Sequence, residues 1–235
     1  MSAIQQALLG YGGGNASDPY RANVVLHLRA GTSAIEETTG KTQIVTATVS
    51  RSTARSAFGD QSILFDGVQG RIAFADSASW YPSTRKFTLE GFAYADSSAS
   101  GTRYLFGQAA ASGGFYSVLG RRAASTLYQA GITDGTTIKE ATAGTFSPST
   151  WVHFLLEQDL NNLYLAINGV LTATVDVTGF TAMNSPGNFV VGAYADDSFA
   201  SIKWLGNMDE IRYTQDVVRY PTFPFTPPTA RFPTV

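Results

Sequence analysis

Cysteine is absent from the 235 residues, which excludes disulfides, thiolate metal sites and cysteine nucleophiles and leaves stability to packing. Charge is scarce too: Asp, Glu, Lys and Arg make up 14% of the chain, against about a quarter in an ordinary globular domain. With a net charge of −2 and no cluster of Lys or Arg, the chain has no electrostatic surface for nucleic acid. No stretch approaches the roughly 20 apolar residues of a membrane span. Met1 to Leu9 has neither the basic region nor the long apolar core of a secretory signal, so the expectation is synthesis and first folding in a cytoplasm.

What the chain has is apolar and aromatic surface, 44% and 12% of residues, enough for one large all-β domain. Thr150 to Val177 shows the pattern best. Trp151 to Glu157, Leu163 to Ile167 and Val170 to Val177 are strand-length apolar runs separated by turn residues, and Asn168-Gly169 suits a two-residue type I′ turn because both central positions need positive φ. With that loop, Leu163, Leu165 and Ile167 share a face with Val170, Thr172 and Thr174, and Tyr164 and Ala166 share the other with Leu171 and Ala173. Both faces are apolar, which predicts a central position in an antiparallel sheet.

Further strands are predicted at Asn23 to Leu28, Thr42 to Val49, Ser62 to Asp66, Gly70 to Phe74 and Phe87 to Ala95. Others follow at Tyr104 to Gly107, Phe115 to Gly120, Thr126 to Ile132, Asn188 to Gly192 and Ile202 to Tyr213, with one helical turn near Thr214 to Val218. Residues 1–17 form a glycine-rich arm that is either a loose tail or a docking segment carrying Ile4, Leu8, Leu9 and Tyr11. Residues 18–220 form the domain. Prolines at 221, 224, 227, 228 and 233 make residues 221–235 an extended tail whose Phe223, Phe225 and Phe232 need a surface to bury, either on a neighbouring protein or, with the tail folded back, on the domain's own sheet.

In order along the chain, Phe58-Gly-Asp-Gln-Ser-Ile-Leu-Phe-Asp-Gly67, Phe87-Thr-Leu-Glu-Gly-Phe92, Trp151-Val-His-Phe154, Leu163-Tyr-Leu-Ala-Ile-Asn-Gly-Val170 and Gly206-Asn-Met-Asp-Glu-Ile-Arg212 resemble concanavalin A-like lectin/glucanase domains of the laminin G-like type. The resemblance implies a two-sheet antiparallel jelly-roll sandwich with extended N- and C-terminal arms. Asp18-Pro-Tyr20 and Val218-Arg-Tyr-Pro-Thr-Phe-Pro-Phe-Thr-Pro-Pro228 add a likeness to virion proteins of tailed bacteriophages. The leading expectation is therefore a non-enzymatic virion structural protein, tail-associated or capsid-decorating and present in many copies, contacting other virion proteins through Ile4, Leu8, Leu9, Tyr11, Phe223, Phe225 and Phe232. The alternative is a glycan-binding adhesion module, and a weaker one a glycoside hydrolase.

Enzymatic members of such a family pair two carboxylates on alternate positions of one strand. Here Glu90 stands alone on its strand, Glu157 and Asp159 lie where a strand enters a turn, and Asp209 and Glu210 are adjacent and expected to point to opposite faces. His27 and His153 are each within a strand with no nucleophile elbow nearby, and His27 reads as a partly buried structural histidine. For sugar binding the candidate platforms are Trp80, Tyr81, Tyr128 and Tyr194. No cofactor is expected; calcium, if bound, would use Asp196 and Asp197 in an end loop.

Overall fold

The computed structural model describes residues 17–31, 35–109, 116–123, 126–194 and 202–234. The strands are β1 (Val24–Ala30), β2 (Ile35–Glu37), β3 (Gln43–Ala47), β4 (Val49–Ser52), β5 (Ser62–Asp66), β6 (Arg71–Phe74), β7 (Phe87–Ala95) and β8 (Arg103–Ala109). They continue as β9 (Tyr116–Ala123), β10 (Leu127–Thr133), β11 (Ile138–Thr145), β12 (Trp151–Gln158), β13 (Asn162–Ile167), β14 (Val170–Asp176), β15 (Phe189–Val191) and β16 (Leu205–Gln215). Three-residue 3₁₀ turns precede β1 and carry Trp80.

Two antiparallel sheets result. The nine-stranded sheet runs β14-β13-β12-β7-β16-β1-β2, with β5 and β4 beside β16, and the seven-stranded sheet runs β11-β10-β9-β8-β15-β6-β3. The architecture is the expected jelly-roll sandwich. The eleven-residue β16 is long enough to pair with β7 along one side and with β1 and β5 end to end along the other. Leu26, Leu28, Leu89, Phe154, Leu156, Leu163, Leu165 and Ile211 from the first sheet meet Phe106, Val118, Tyr128, Ile132, Phe189 and Val191 from the second in one continuous core. Full burial of such side chains is worth roughly 1.5–3 kcal/mol apiece.

Local differences from the sequence reading have local causes. Residues 42–49 are not one strand: Thr48, with φ +46°, breaks the run so that β3 joins one sheet and β4 the other. The Asn168-Gly169 turn has both residues at positive φ, 50° and 78°, as anticipated. Past it, a bulge between Leu165 and Ala166 opposite Thr172 shifts the register, so Ala173 and Val175, rather than Thr172 and Thr174, lie opposite Leu165 and Leu163. No helical turn forms over 214–218; β16 continues to Gln215.

The meander β12-β13-β14 sits at one edge of its sheet, not at the centre. Its apolar outer face has another explanation. Leu155 and Ala166 on that face pack against Tyr220, Phe223 and Phe225 of the C-terminal segment, which crosses the sheet and hydrogen-bonds to the hairpin through Phe225 N–H and Gly169 O at 3.0 Å. Phe232 is buried farther along, its ring beside His27 and Phe92 and under the Arg212 guanidinium at 3.7 Å. Of the three tail phenylalanines expected to contact other virion proteins, Phe232 is buried and Phe223 and Phe225 are half-buried, all against their own domain, as in the folded-back alternative. Ile4, Leu8, Leu9 and Tyr11 lie outside the described residues.

Candidate functional site

Two clusters of functional side chains stand out, one on the outward face of each sheet. The first is ionic and closed. Inward residues of β7, β12 and β16 alternate with Thr88, Glu90, His153, Glu157 and Arg212, which strand pleating turns away from the core. Arg212 donates Nε–H and Nη2–H to Glu90 Oε1 at 3.1 and 2.7 Å and Nη1–H to Asp18 Oδ2 at 3.2 Å. Arg219 grips the same Asp18 with two parallel bonds, 3.1 and 2.8 Å, a bidentate geometry that suits guanidinium and carboxylate. Tyr220 donates its hydroxyl hydrogen to Glu90 Oε2 at 2.7 Å, and His153 Nε2 is 3.1 Å from the same oxygen.

Two arginines against two carboxylates leave this cluster balanced, and all four are essentially inaccessible to solvent. Burial opposes ionisation of Glu90, yet Arg212 and His153 hold its carboxyl well below the usual range. The cluster also accounts for both end motifs: Asp18 of Asp-Pro-Tyr meets Arg219 of Val-Arg-Tyr-Pro across 201 positions of sequence.

Around it the tail is held by more carboxylates. Glu157 Oε2 accepts Thr88 Oγ–H at 2.5 Å, Arg219 N–H at 2.8 Å and Tyr220 N–H at 3.1 Å. Burial pushes Glu157 up to about 7 in spite of these donors. Glu210 accepts Phe232 N–H at 2.9 Å and lies 2.8 Å from His27 Nε2. Burial holds His27 below its ordinary value; it is 1% exposed, more deeply set than a partly buried histidine. Asp209 accepts Phe58 N–H, and burial with the neighbouring Glu210 charge pushes it up to about 7.

The expectation that Asp209 and Glu210 face opposite ways is therefore corrected. Glu210 has φ +50° and sits in a bulge between Asp209 and Arg212. The extra residue turns Asp209, Glu210 and Arg212 to the outward side while Ile211 enters the core. Glu157 is the second-last residue of β12 and Asp159 opens the turn after it, as expected. Four carboxylates thus share one face, but all of them are covered.

The second cluster is open. On β9 and β10, Val118, Tyr128, Ala130 and Ile132 point into the core, so Leu119, Arg121, Gln129 and Gly131 point outward. Arg121 lies directly across from both Gln129 and Tyr104. It donates Nε–H to Gln129 Oε1 at 2.6 Å and Nη1–H to the Tyr104 hydroxyl at 3.0 Å. Gln129 Nε2 donates to Glu140 Oε1 at 3.0 Å, and Tyr116 O–H donates to Glu140 Oε2 at 2.9 Å. Arg121 and Glu140 stand 4.0 Å apart with side chains 24% and 26% exposed, so both are fixed by neighbours yet reachable from solvent.

Tyrosine rings border this set. Tyr194 lies 5.3 Å from the Tyr104 ring and 6.5 Å from that of Tyr116. Its backbone crosses β8 where Gly107 has no side chain; a Cβ there would come within 2.5 Å of Tyr194 O. Gly131 performs the same service for Glu140, whose Cβ would be 2.3 Å from any Cβ at position 131.

Of the four proposed platforms, Tyr194 belongs to this cluster and is partly exposed. Trp80 and Tyr128 are fully buried; Trp80 stacks on Phe189 at 4.9 Å and donates its indole N–H to Ala75 O, so neither ring can receive a ligand. Tyr81 is half-buried beside Trp80, its carbonyl accepting from Gln215. Asp196 and Asp197 lie outside the described residues; among those described, no group of three or more metal-ligating side chains occurs. Arg121, Gln129, Glu140, Tyr104 and Tyr116 were missed in the sequence because they come from four strands. The register of the β9-β10 hairpin, which sets Arg121 against Gln129, is the signal that could have found them.

A family model for the concanavalin A-like lectin/glucanases superfamily matches residues 66–218. The chain belongs to that superfamily. Among solved structures it is similar to the binding domain of Paraclostridial Mosquitocidal Protein 1, with a TM-score of 0.67 at 13% identity, covering 85% of this chain and 50% of that one. It is also similar to the receptor binding domain of botulinum neurotoxin D (0.65, 10%, 85% and 51%) and to the serotype D ligand binding domain in complex with N-acetylneuraminic acid (0.64, 10%, 85% and 49%). The chain spans about half the length of these structures, and at such identities the likeness is one of fold. No curated protein matches it in sequence.

Proposed function

We propose that the domain is a non-catalytic glycan-binding module whose ligand sits on the outward face of the seven-stranded sheet. One observation carries the reading: Arg121, Gln129 and Glu140 are held in a single hydrogen-bonded set, partly exposed, beside the half-buried ring of Tyr194, which packs on the buried rings of Tyr104 and Tyr116. Sugars are bound by fixed planar polar groups that meet their hydroxyls and by rings that cover their C–H faces, and groups already fixed lose little entropy on binding. The family and the binding-domain folds it resembles point the same way. Catalysis by the carboxylates of the other sheet is disfavoured because the protein's own tail fills the space a substrate would need.

A glycan array followed by calorimetry tests this. Wild type should bind at least one oligosaccharide class without releasing reducing sugar, and Arg121→Ala or Tyr194→Ala should weaken binding at least tenfold. Binding unchanged by both substitutions would contradict it.

A second reading places such a module on a bacteriophage particle. It is favoured by the end motifs and by the clamp between Asp18 and Arg219, which fixes the point where residues 1–17 join the domain. Deleting residues 1–14 should leave a folded, glycan-binding domain that no longer enters particles; normal incorporation would refute it.

A further inference from the structure

Resting on the glycan-binding reading, we infer that the sugar recognised at the Arg121–Glu140 cluster is electrically neutral and is held through hydroxyls shared between the two charged groups, rather than through a carboxylate. Arg121 and Glu140 make the local formal charge zero. Among the described residues, the neighbouring cations keep their charges but sit at core-facing positions of their strands, on the other side of the sheet. Arg122 turns inward to Phe146 O and Ala99 O, Arg103 is committed to carbonyls of Ser100, Gly67 and Lys203, and Lys139 lies over the Phe180 ring at 5.8 Å. Tyr116 and Tyr194 are both shifted up by burial, reinforced for Tyr116 by the Glu140 charge, so they stay neutral.

The donor and acceptor inventory agrees. A guanidinium carries five N–H donors and a carboxylate about four acceptor sites. Among the described residues Arg121 commits Nε–H and one Nη1–H, and Glu140 takes one donor on each oxygen. Each therefore keeps capacity facing outward. A hydroxyl donates and accepts at once, so vicinal sugar hydroxyls can accept from Arg121 and donate to Glu140 across the 4.0 Å between them. A sugar carboxylate satisfies Arg121 but has no hydrogen to give Glu140 and is brought against a like charge. The N-acetylneuraminic acid in the similar toxin domain thus does not transfer to this site.

The experiment measures Kd of the full chain for two panels, neutral oligosaccharides and their sialylated or uronic-acid counterparts, at low and high salt, with wild type, Glu140→Gln and Arg121→Gln. Thermal unfolding confirms that each variant is folded. The expected result is neutral-sugar binding that salt changes less than twofold and that either variant weakens at least tenfold. Binding of acidic sugars alone, strengthened by Glu140→Gln and lost in Arg121→Gln, would overturn the inference and leave the glycan reading standing. Neutral-sugar binding indifferent to both folded variants would overturn the assignment to this cluster. Failure of wild type to bind any member of either panel would overturn both. Should Glu140→Gln not fold, Arg121→Gln decides by the same signs.

Discussion

The two outward faces of this sandwich carry similar chemistry put to opposite uses. On the nine-stranded sheet Glu90, Arg212, Asp18 and Arg219 form an ion cluster sealed under Tyr220, Phe225 and Phe232. On the seven-stranded sheet Arg121, Gln129 and Glu140 form a comparable hydrogen-bonded set with about a quarter of the Arg121 and Glu140 side chains still in water. Charges that are buried and fully partnered cannot be broken singly without leaving an unpaired charge in a poor dielectric. Charges that remain wet can be removed cheaply, and their value lies in what they meet from solution. Side-chain type alone therefore does not mark a site; the covering segment does.

The largest effect should come from Arg212→Met, which removes both hydrogen bonds to Glu90 Oε1 and one of those to Asp18. A loss of about 3–5 kcal/mol is expected from breaking a buried pair, measured by urea unfolding; a loss below about 1 kcal/mol would show that the cluster does not hold the fold. Phe232→Ala follows, with about 3 kcal/mol for a buried phenylalanine and a further penalty if Glu210 loses the Phe232 N–H as the tail frays.

The next effect depends on pH. Glu157 is raised to about 7 in the folded chain from its ordinary value of 4.5, so between these values the native state binds more protons than the unfolded one. Its contribution to stability therefore falls as pH rises through that window and is level above it. Glu157→Gln, which cannot ionise, should gain about 1–3 kcal/mol relative to wild type between pH 5 and pH 8. Asp209→Asn should behave alike, since Asp209 is also raised to about 7. Glu90 and Asp18 act in the opposite sense: held low in the folded state, they lose their contribution as pH falls through and below the ordinary carboxylate range. A Glu157→Gln difference that is flat with pH would show that this carboxyl is ionised throughout.

Smallest in stability is Arg121→Ala, expected to cost under about 1 kcal/mol because the side chain is partly solvated, while removing glycan binding. A large stability loss there would erase the distinction between the two faces.

Much of the fold was legible in the residues and much of the site was not. Phe87 to Ala95 alternates cleanly and became β7, and Asn168-Gly169 could hardly be anything but a turn. β11 escaped notice because Ile138-Lys-Glu-Ala-Thr-Ala-Gly-Thr145 is a half-wet edge strand with little apolar signal. Alternation also misled at Asp209-Glu210, where one left-handed residue resets the faces. The apolar outer side of β12 and β13 reflects a cover rather than the central place expected of it, because pattern alone cannot tell a central position from an edge covered by a returning tail. Arg121, Gln129 and Glu140 were invisible for a related reason: sites assembled across strands depend on register, and register is a pairwise property of strands.

The most direct test of the central claim is an amide and side-chain NMR titration of the ¹⁵N-labelled chain with a glycan selected from the array. The account predicts shift changes at Tyr104, Arg121 Nε, Gln129, Glu140 and Tyr194, with the resonances of Glu90, His153 and Tyr220 unmoved. Changes concentrated beneath the tail, or around the half-buried Trp151 and Tyr94 rings that lie 5.7 Å apart on the nine-stranded sheet, would contradict it.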